Sequence, residues 1–150
     1  MLQTDKNPLI CIVGPTACGK TNLAVNLSQT IDAEIISIDS RQVYRGMDIG
    51  TGKDLQEYII NGQQIPYHLI DIVEAGYQYN VFEYRQDFDK AYQQITQRGK
   101  KVVCCGGTGM YIEAILKGYR LEQVDKNEAF RKQCENKTNQ ELIEELQEYK

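Results

Sequence analysis

The stretch Gly14-Pro15-Thr16-Ala17-Cys18-Gly19-Lys20-Thr21 spaces two glycines, a lysine and a hydroxyl residue as a phosphate-binding loop does. Glycines let successive backbone N–H groups turn into one concavity, the positive end of a following helix adds its dipole, and Lys20 supplies a full charge. A di- or triphosphate fits such a cradle, with Mg2+ held at Thr21 between the loop and the phosphates. A second group, Asp39-Ser40-Arg41-Gln42, offers a carboxylate able to act as a general base or to support the metal. A third, Gly106-Gly107-Thr108-Gly109, taken alone reads as a tight turn, just as Asp39 taken alone reads as a turn or helix cap.

These groups need elements to hold them. Leu9-Ile10-Cys11-Ile12-Val13 is a continuous apolar run, the pattern of a parallel strand buried on both faces, and it ends at the loop. Leu23, Ala24 and Leu27 recur at helical spacing, so a helix is expected from Lys20 to about Ile31. Glu34 to Ile38 reads as a second strand delivering Asp39, and Lys101 to Cys105 as another delivering Gly106. Between them, Val43 to Gln64 reads as a long functional loop, His68 to Val73 as a short strand, and Val81 to Arg98 as a helix stopped at Gly99. Asn80 with Glu83 three residues on forms a capping box for that helix. A last core helix is expected from Met110 to Leu116; beyond Gly118 the text turns charged, with Leu142, Ile143 and Leu146 marking a solvated helical arm. The fold class is therefore α/β, a P-loop-type parallel sheet with flanking helices, whose active groups gather at the carboxyl ends of the strands.

Composition narrows the function. The chain has 150 residues, 41% hydrophobic and 25% charged, which is enough for one core without disulfides or a structural metal. No apolar run approaches a membrane span, and the polar start from Met1 to Asn7 lacks a secretion signal, so no membrane and a cytoplasmic location are expected. A formal net charge of −4 argues against a broad basic surface for nucleic acid, while leaving room for a local basic site. The five cysteines have no CxxC spacing and the single His68 has no ligand partner, so zinc and disulfide readings are weak. Cys11, Cys104 and Cys105 read as small buried hydrophobes, His68 as a structural hydrogen-bonding residue, and Cys18, at the mouth of the loop, as the redox-sensitive thiol.

Read together, four stretches carry a resemblance: Gly14 to Thr21, Asp39 to Lys53 (DSRQVYRGMDIGTGK), His68 to Asp71 (HLID) and Gly106 to Ile112 (GGTGMYI). In this order and spacing the chain resembles the first half of the tRNA dimethylallyltransferases. The resemblance implies transfer of a dimethylallyl group from dimethylallyl diphosphate to the exocyclic N6 of an adenosine beside the anticodon, with the tRNA anticodon stem-loop as partner. The loop would then hold a leaving diphosphate, with Lys20, Mg2+ at Thr21 and the loop amides stabilising its charge. By the same resemblance Thr16 bonds the oxygen at the breaking C–O bond, Asp39 takes the proton of the attacking amine, and Ser40, Arg41 and Gln42 meet the extruded base. Thr108 matches a tRNA-contacting position, as does Arg131 once a one-residue insertion is admitted. Residues 1–118 are implied to form the P-loop core and 119–150 the start of a helical tRNA-binding insertion.

The chain departs from the family pattern at Cys18, where serine is usual, at Arg41, where a smaller or apolar residue is common, and at Asp54, where proline is usual. Family members are about twice as long, so the chain reads as a fragment, a truncated product or a short paralogue, expected to be monomeric. Two other readings stay open: a small nucleotide or metabolite kinase using ATP, and a noncatalytic protein that only binds diphosphate. A free adenine nucleotide is the alternative acceptor.

Overall fold

The computed structural model describes residues 8–119 and 127–148. The expectations for Met1 to Asn7 and for the start of the insertion at 120–126 lie outside them. Strand β1 (Leu9–Val13) leads into helix α1 (Lys20–Ile31), which returns the chain to β2 (Ala33–Ile38). A single turn of 3-10 helix at Leu55–Tyr58 precedes the small hairpin β3 (Ile59–Ile60) and β4 (Gln63–Gln64), then β5 (Tyr67–His68). Helix α2 (Val81–Gln97), strand β6 (Lys101–Gly106) and helix α3 (Gly109–Lys117) complete the core; α4 (Glu128–Glu135) and α5 (Asn139–Glu148) follow and contain no buried residue.

The main sheet is parallel with order β1-β6-β2-β5. All six residues of β2 are buried; Ala33, Ile35, Ile36 and Ile38 are apolar, and the two polar ones are hydrogen-bonded, Glu34 to Arg98 and Ser37 to Gln42. Alternation divides the core in two. Ile36, Ile38 and Cys104 pack with Tyr84, Phe88 and Tyr111 beneath α2 and α3, whereas Ile35, Val103 and Cys105 pack with Ala24, Val25 and Tyr58. Each such aliphatic side chain contributes about 1.5–3 kcal/mol by leaving water, so the sheet is fixed in place by both layers.

Helix α2 starts where its capping box requires. Asn80 Oδ1 accepts the N–H groups of Phe82 and Glu83 at 2.9 and 3.1 Å, and Glu83 Oε2 accepts the Asn80 N–H at 3.2 Å. Gly99 follows with φ 72°, a left-handed turn natural to glycine. Two expectations need correction. The strand at 68–73 ends at His68, because Leu69 and Asp71 take φ of 62° and 56° and turn the chain away from the sheet. The long loop is not structureless: Asn61 and Gly62, both with positive φ, close the β3–β4 hairpin within it. No helix among the described residues is long and apolar enough to cross a membrane.

Candidate active site

The carboxyl ends of β1, β2 and β6 open into one cleft of about 430 Å3. Residues 14–21, Asp39, Arg41, Gln42 and Thr108 all line it, so three strand exits meet in space as their positions in the sheet dictate. Thr51, Gly52, Asp54, Glu57 and Tyr58 close it from the opposite side.

In the loop, Ala17 and Gly19 both hold left-handed backbone, φ 62° and 80°. An alanine there costs of order 1 kcal/mol or more, strain of the kind kept at binding loops. Gly19 precedes α1 with no side-chain cap, so the first N–H groups of the helix face the cleft without a competing side-chain acceptor. The Lys20 ammonium folds back to donate to the Pro15 carbonyl and lies 3.8 Å from Cys18 Sγ. Below it, the Cys105 thiol is pushed up to about 11 by burial, against the charge of Lys20 and a hydrogen bond with Thr21.

Asp39 sits at the end of β2 with its side chain 18% exposed. Its Oδ1 accepts the Arg41 N–H at 2.9 Å and pairs with the Arg41 guanidinium at 3.5 Å. The turn-cap role read as its bland alternative is thus present, through one oxygen. Oδ2 has no hydrogen-bond partner among the described residues. Gln42 spans the site wall: its Oε1 accepts the Ser37 hydroxyl at 2.8 Å, and its Nε2 donates to the Gly52 carbonyl at 3.1 Å.

The β6 exit is bound to the β2 exit through two oxygens, the Ile38 carbonyl and the Thr108 hydroxyl. The Ile38 carbonyl accepts the N–H groups of Gly107 and Thr108, each at 3.1 Å. Gly106 passes so close that a Cβ would fall 2.2 Å from that oxygen, which leaves glycine as the residue that fits. Thr108 Oγ1 accepts the backbone N–H of Ser40 at 3.0 Å. Ser40 is thereby held beside the cleft without lining it, while Arg131, exposed on α4, is absent from the cleft wall.

One element was not assigned from the sequence. Lys53, its side chain fully buried, donates to the Tyr44 carbonyl at 2.7 Å, to Asp71 Oδ1 at 2.5 Å and to Asp48 Oδ1 at 3.2 Å. Burial pulls its pKa down, but the hydrogen bonds and charges of Asp71 and Asp48 outweigh it and raise the pKa, so the ammonium is retained. Thr51 Oγ1 donates to the Met47 carbonyl at 2.6 Å, and this segment brings Thr51 and Gly52 to the cleft wall. A charge at Lys53 beside Gly50 and Gly52 was the available signal.

His68 lies at the other end of the sheet. Its Nε2 is 2.6 Å from Glu34 Oε2, and Glu34 also takes two hydrogen bonds from Arg98, at 3.1 and 2.7 Å. Burial raises the Glu34 pKa, but those partners more than reverse it and hold the carboxyl below its ordinary range. This is a structural cluster, as expected for His68. Among the described residues no group of three or more His, Cys, Asp or Glu is placed to hold a metal by itself.

The family profile described as IPP transferase matches residues 42–150. The chain is similar to tRNA dimethylallyltransferase 1 of Parabacteroides distasonis, 60% identical over 142 residues that cover 95% of this chain and 46% of that protein. It is also similar to tRNA dimethylallyltransferase 2 of Phocaeicola vulgatus, 57% identical over 97% of this chain and 48% of that one. Among solved structures, the tRNA isopentenylpyrophosphate transferase of Bacillus halodurans superposes with TM-score 0.72 at 36% identity, over 96% of this chain and 48% of that one. The chain spans about half the length of the curated relatives it matches.

Proposed function

The chain belongs to the IPP transferase family, and we propose that its cleft binds the diphosphate of dimethylallyl diphosphate and directs the prenyl group to N6 of an adenosine in the anticodon stem-loop of a tRNA. The observation that carries this reading is the meeting of the phosphate loop and the Asp39 carboxylate across one cleft. A phosphate cradle alone suits many reactions; a carboxylate facing it supplies the base that an amine nucleophile needs.

In this reading the uncapped N-terminus of α1, the loop amides and Lys20 hold the diphosphate, and the ammonium exchanges its Pro15 carbonyl for phosphate oxygen. Thr16, exposed on the loop, bonds the oxygen of the breaking C–O bond. The adenine amine attacks carbon, the C–N bond forms as the C–O bond breaks, pyrophosphate leaves, and the amine proton passes to Asp39 Oδ2. Ser40, Arg41, Gln42 and Thr108 contact the extruded base and its neighbours, with Arg131 reaching the RNA from α4. The Thr21 hydroxyl, a hard oxygen donor in the cleft wall, would hold Mg2+ beside the diphosphate. When bound, the ion would neutralise charge on the leaving group. The protein acts as a monomer in the cytoplasm.

The test is direct. The chain is incubated with dimethylallyl diphosphate, Mg2+ and an anticodon stem-loop, with ATP and candidate acceptors in parallel, and the products are read by mass spectrometry. Prenylated adenosine supports the proposal. ADP without prenylation overturns it in favour of a kinase, and pyrophosphate binding with neither product leaves a binding protein.

A further inference from the structure

Strands β1 and β6 set two thiols side by side. Cys11 and Cys104 are register partners in this parallel pair. Neighbouring strands lie about 4.8 Å apart, inside the Cα separation of roughly 4.4–6.8 Å that a disulfide spans. Both side chains face the core beneath α2 and α3, where Cys104 is fully buried and Cys11 is partly buried against the same cluster. Cys105, although adjacent in sequence, turns into the opposite core, Cys18 is exposed on the loop, and Cys134 lies on α4.

The Cys104 thiol donates a hydrogen bond to Cys11, which lowers the Cys11 pKa to about 7 against the opposing effect of burial. The same bond, with burial, pushes Cys104 up. The pair thus differs in the direction its two thiols are shifted, Cys11 towards the thiolate and Cys104 towards the protonated form, which suits an attacking and a resolving cysteine on paired strands.

We propose that Cys11 and Cys104 are a modification site, a dithiol that hydroperoxides oxidise to a cross-strand disulfide. The Cys11 thiolate attacks one peroxide oxygen, the O–O bond breaks, and the departing oxygen takes up a proton as water or an alcohol, leaving a sulfenic acid on Cys11. The Cys104 sulfur then attacks the Cys11 sulfur, the S–O bond breaks, and the hydroxyl leaves as water with the Cys104 proton. The two thiols lose two electrons and the peroxide bond gains them.

The location gives the modification a consequence. From Cys11, β1 runs directly into Gly14; from Cys104, β6 runs into Gly107, where a Cβ would stand 3.3 Å from the Gly14 carbonyl oxygen. A bond between the strands fixes the loop against the turn that carries Thr108. That consequence, unlike the oxidation itself, rests on the phosphate-cradle reading.

The reduced chain is treated with hydrogen peroxide at neutral pH and followed by intact mass and proteolytic mapping, with pyrophosphate affinity measured by calorimetry before and after. The expected product has lost two hydrogen atoms, yields a linked peptide pair containing Cys11 and Cys104, and reverts with dithiothreitol. It is absent from Cys11→Ser and Cys104→Ala and persists in Cys18→Ser and Cys105→Ala, with circular dichroism confirming that each variant is folded. Oxygen addition without a link, or a link through any other pair, overturns the proposal. Pyrophosphate affinity is expected to fall about tenfold on oxidation. An unchanged affinity overturns the coupling to the loop, while a reduced chain that never binds pyrophosphate overturns the cradle reading and leaves the cross-link standing.

Discussion

The Thr108 hydroxyl accepts the backbone N–H of Ser40 at 3.0 Å, across 68 positions of sequence. This bond ties the turn after β6 to the turn that carries Asp39. Replacing Thr108 by Val keeps its volume and removes the acceptor. Thr108→Val is expected to cost about 1 kcal/mol of stability and to lower prenyl transfer, with pyrophosphate affinity unchanged. Thr108→Ser is expected to restore both. Urea denaturation and single-turnover prenylation measure the two effects.

Asp39 divides its oxygens between turn and cleft. Asp39→Asn keeps the Oδ1 acceptor for Arg41 and abolishes the base. Prenylation is expected to fall by about 100-fold or more, while pyrophosphate affinity, read by calorimetry, stays within about twofold of the unsubstituted chain because the phosphate cradle is untouched. Equal loss of both would remove Asp39 from the proton-transfer role.

Lys53 holds the cleft wall from within. Lys53→Met leaves Asp71 and the Tyr44 carbonyl without their donor, and a loss of about 3 kcal/mol is expected for opening such a buried pair. The midpoint of urea unfolding checks it, read at unchanged slope. Proteolysis between residues 44 and 53 should begin first in this variant, since Lys53 is what closes that segment.

The Glu34 cluster gives a pH signature. Its folded pKa is depressed, so its contribution is present above the unfolded carboxylate value and is lost as pH falls through the folded one. The melting temperature of the unsubstituted chain should exceed that of Glu34→Gln near pH 7, and the gap should close as pH falls from about 5 to about 3. A gap independent of pH would show that Arg98 and His68 act on Glu34 through shape alone.

The sequence was most legible where pattern and packing agree. The helix from Lys20 to Ile31 has the bounds its spacing predicted, and Leu9 to Val13 is a strand as its apolar run indicated, but as an edge strand β1 is only partly buried, with Val13 exposed, rather than buried on both faces. Asn80 and Glu83 marked the start of α2 because a capping box is local chemistry. The turn at Leu69 to Asp71 was hidden for the opposite reason. Leu69 and Ile70 are apolar like a strand, yet contacts from far away in sequence hold the turn at Asp71: the Gln42 carbonyl accepts the Asp71 N–H at 3.0 Å, Lys53 holds the Asp71 carboxylate, and Arg45 holds its carbonyl. The β3–β4 hairpin was visible in principle as the pair Asn61-Gly62, a favoured two-residue turn. In the site, glycine spacing marked the turn from β1 into α1, whereas the use of Thr108 as an acceptor for Ser40 depends on strand order and no local pattern carries it.

The Ile38 carbonyl, with its two donors from Gly107 and Thr108 and the bare Cα of Gly106 against it, sets a limit on how this site can vary. Two stretches of chain share one acceptor at a point where a single added methyl has no room, so neither can lengthen, slide or rotate alone. The backbone beneath the cleft therefore behaves as one piece, and what the cleft admits is left to the side chains that reach over it.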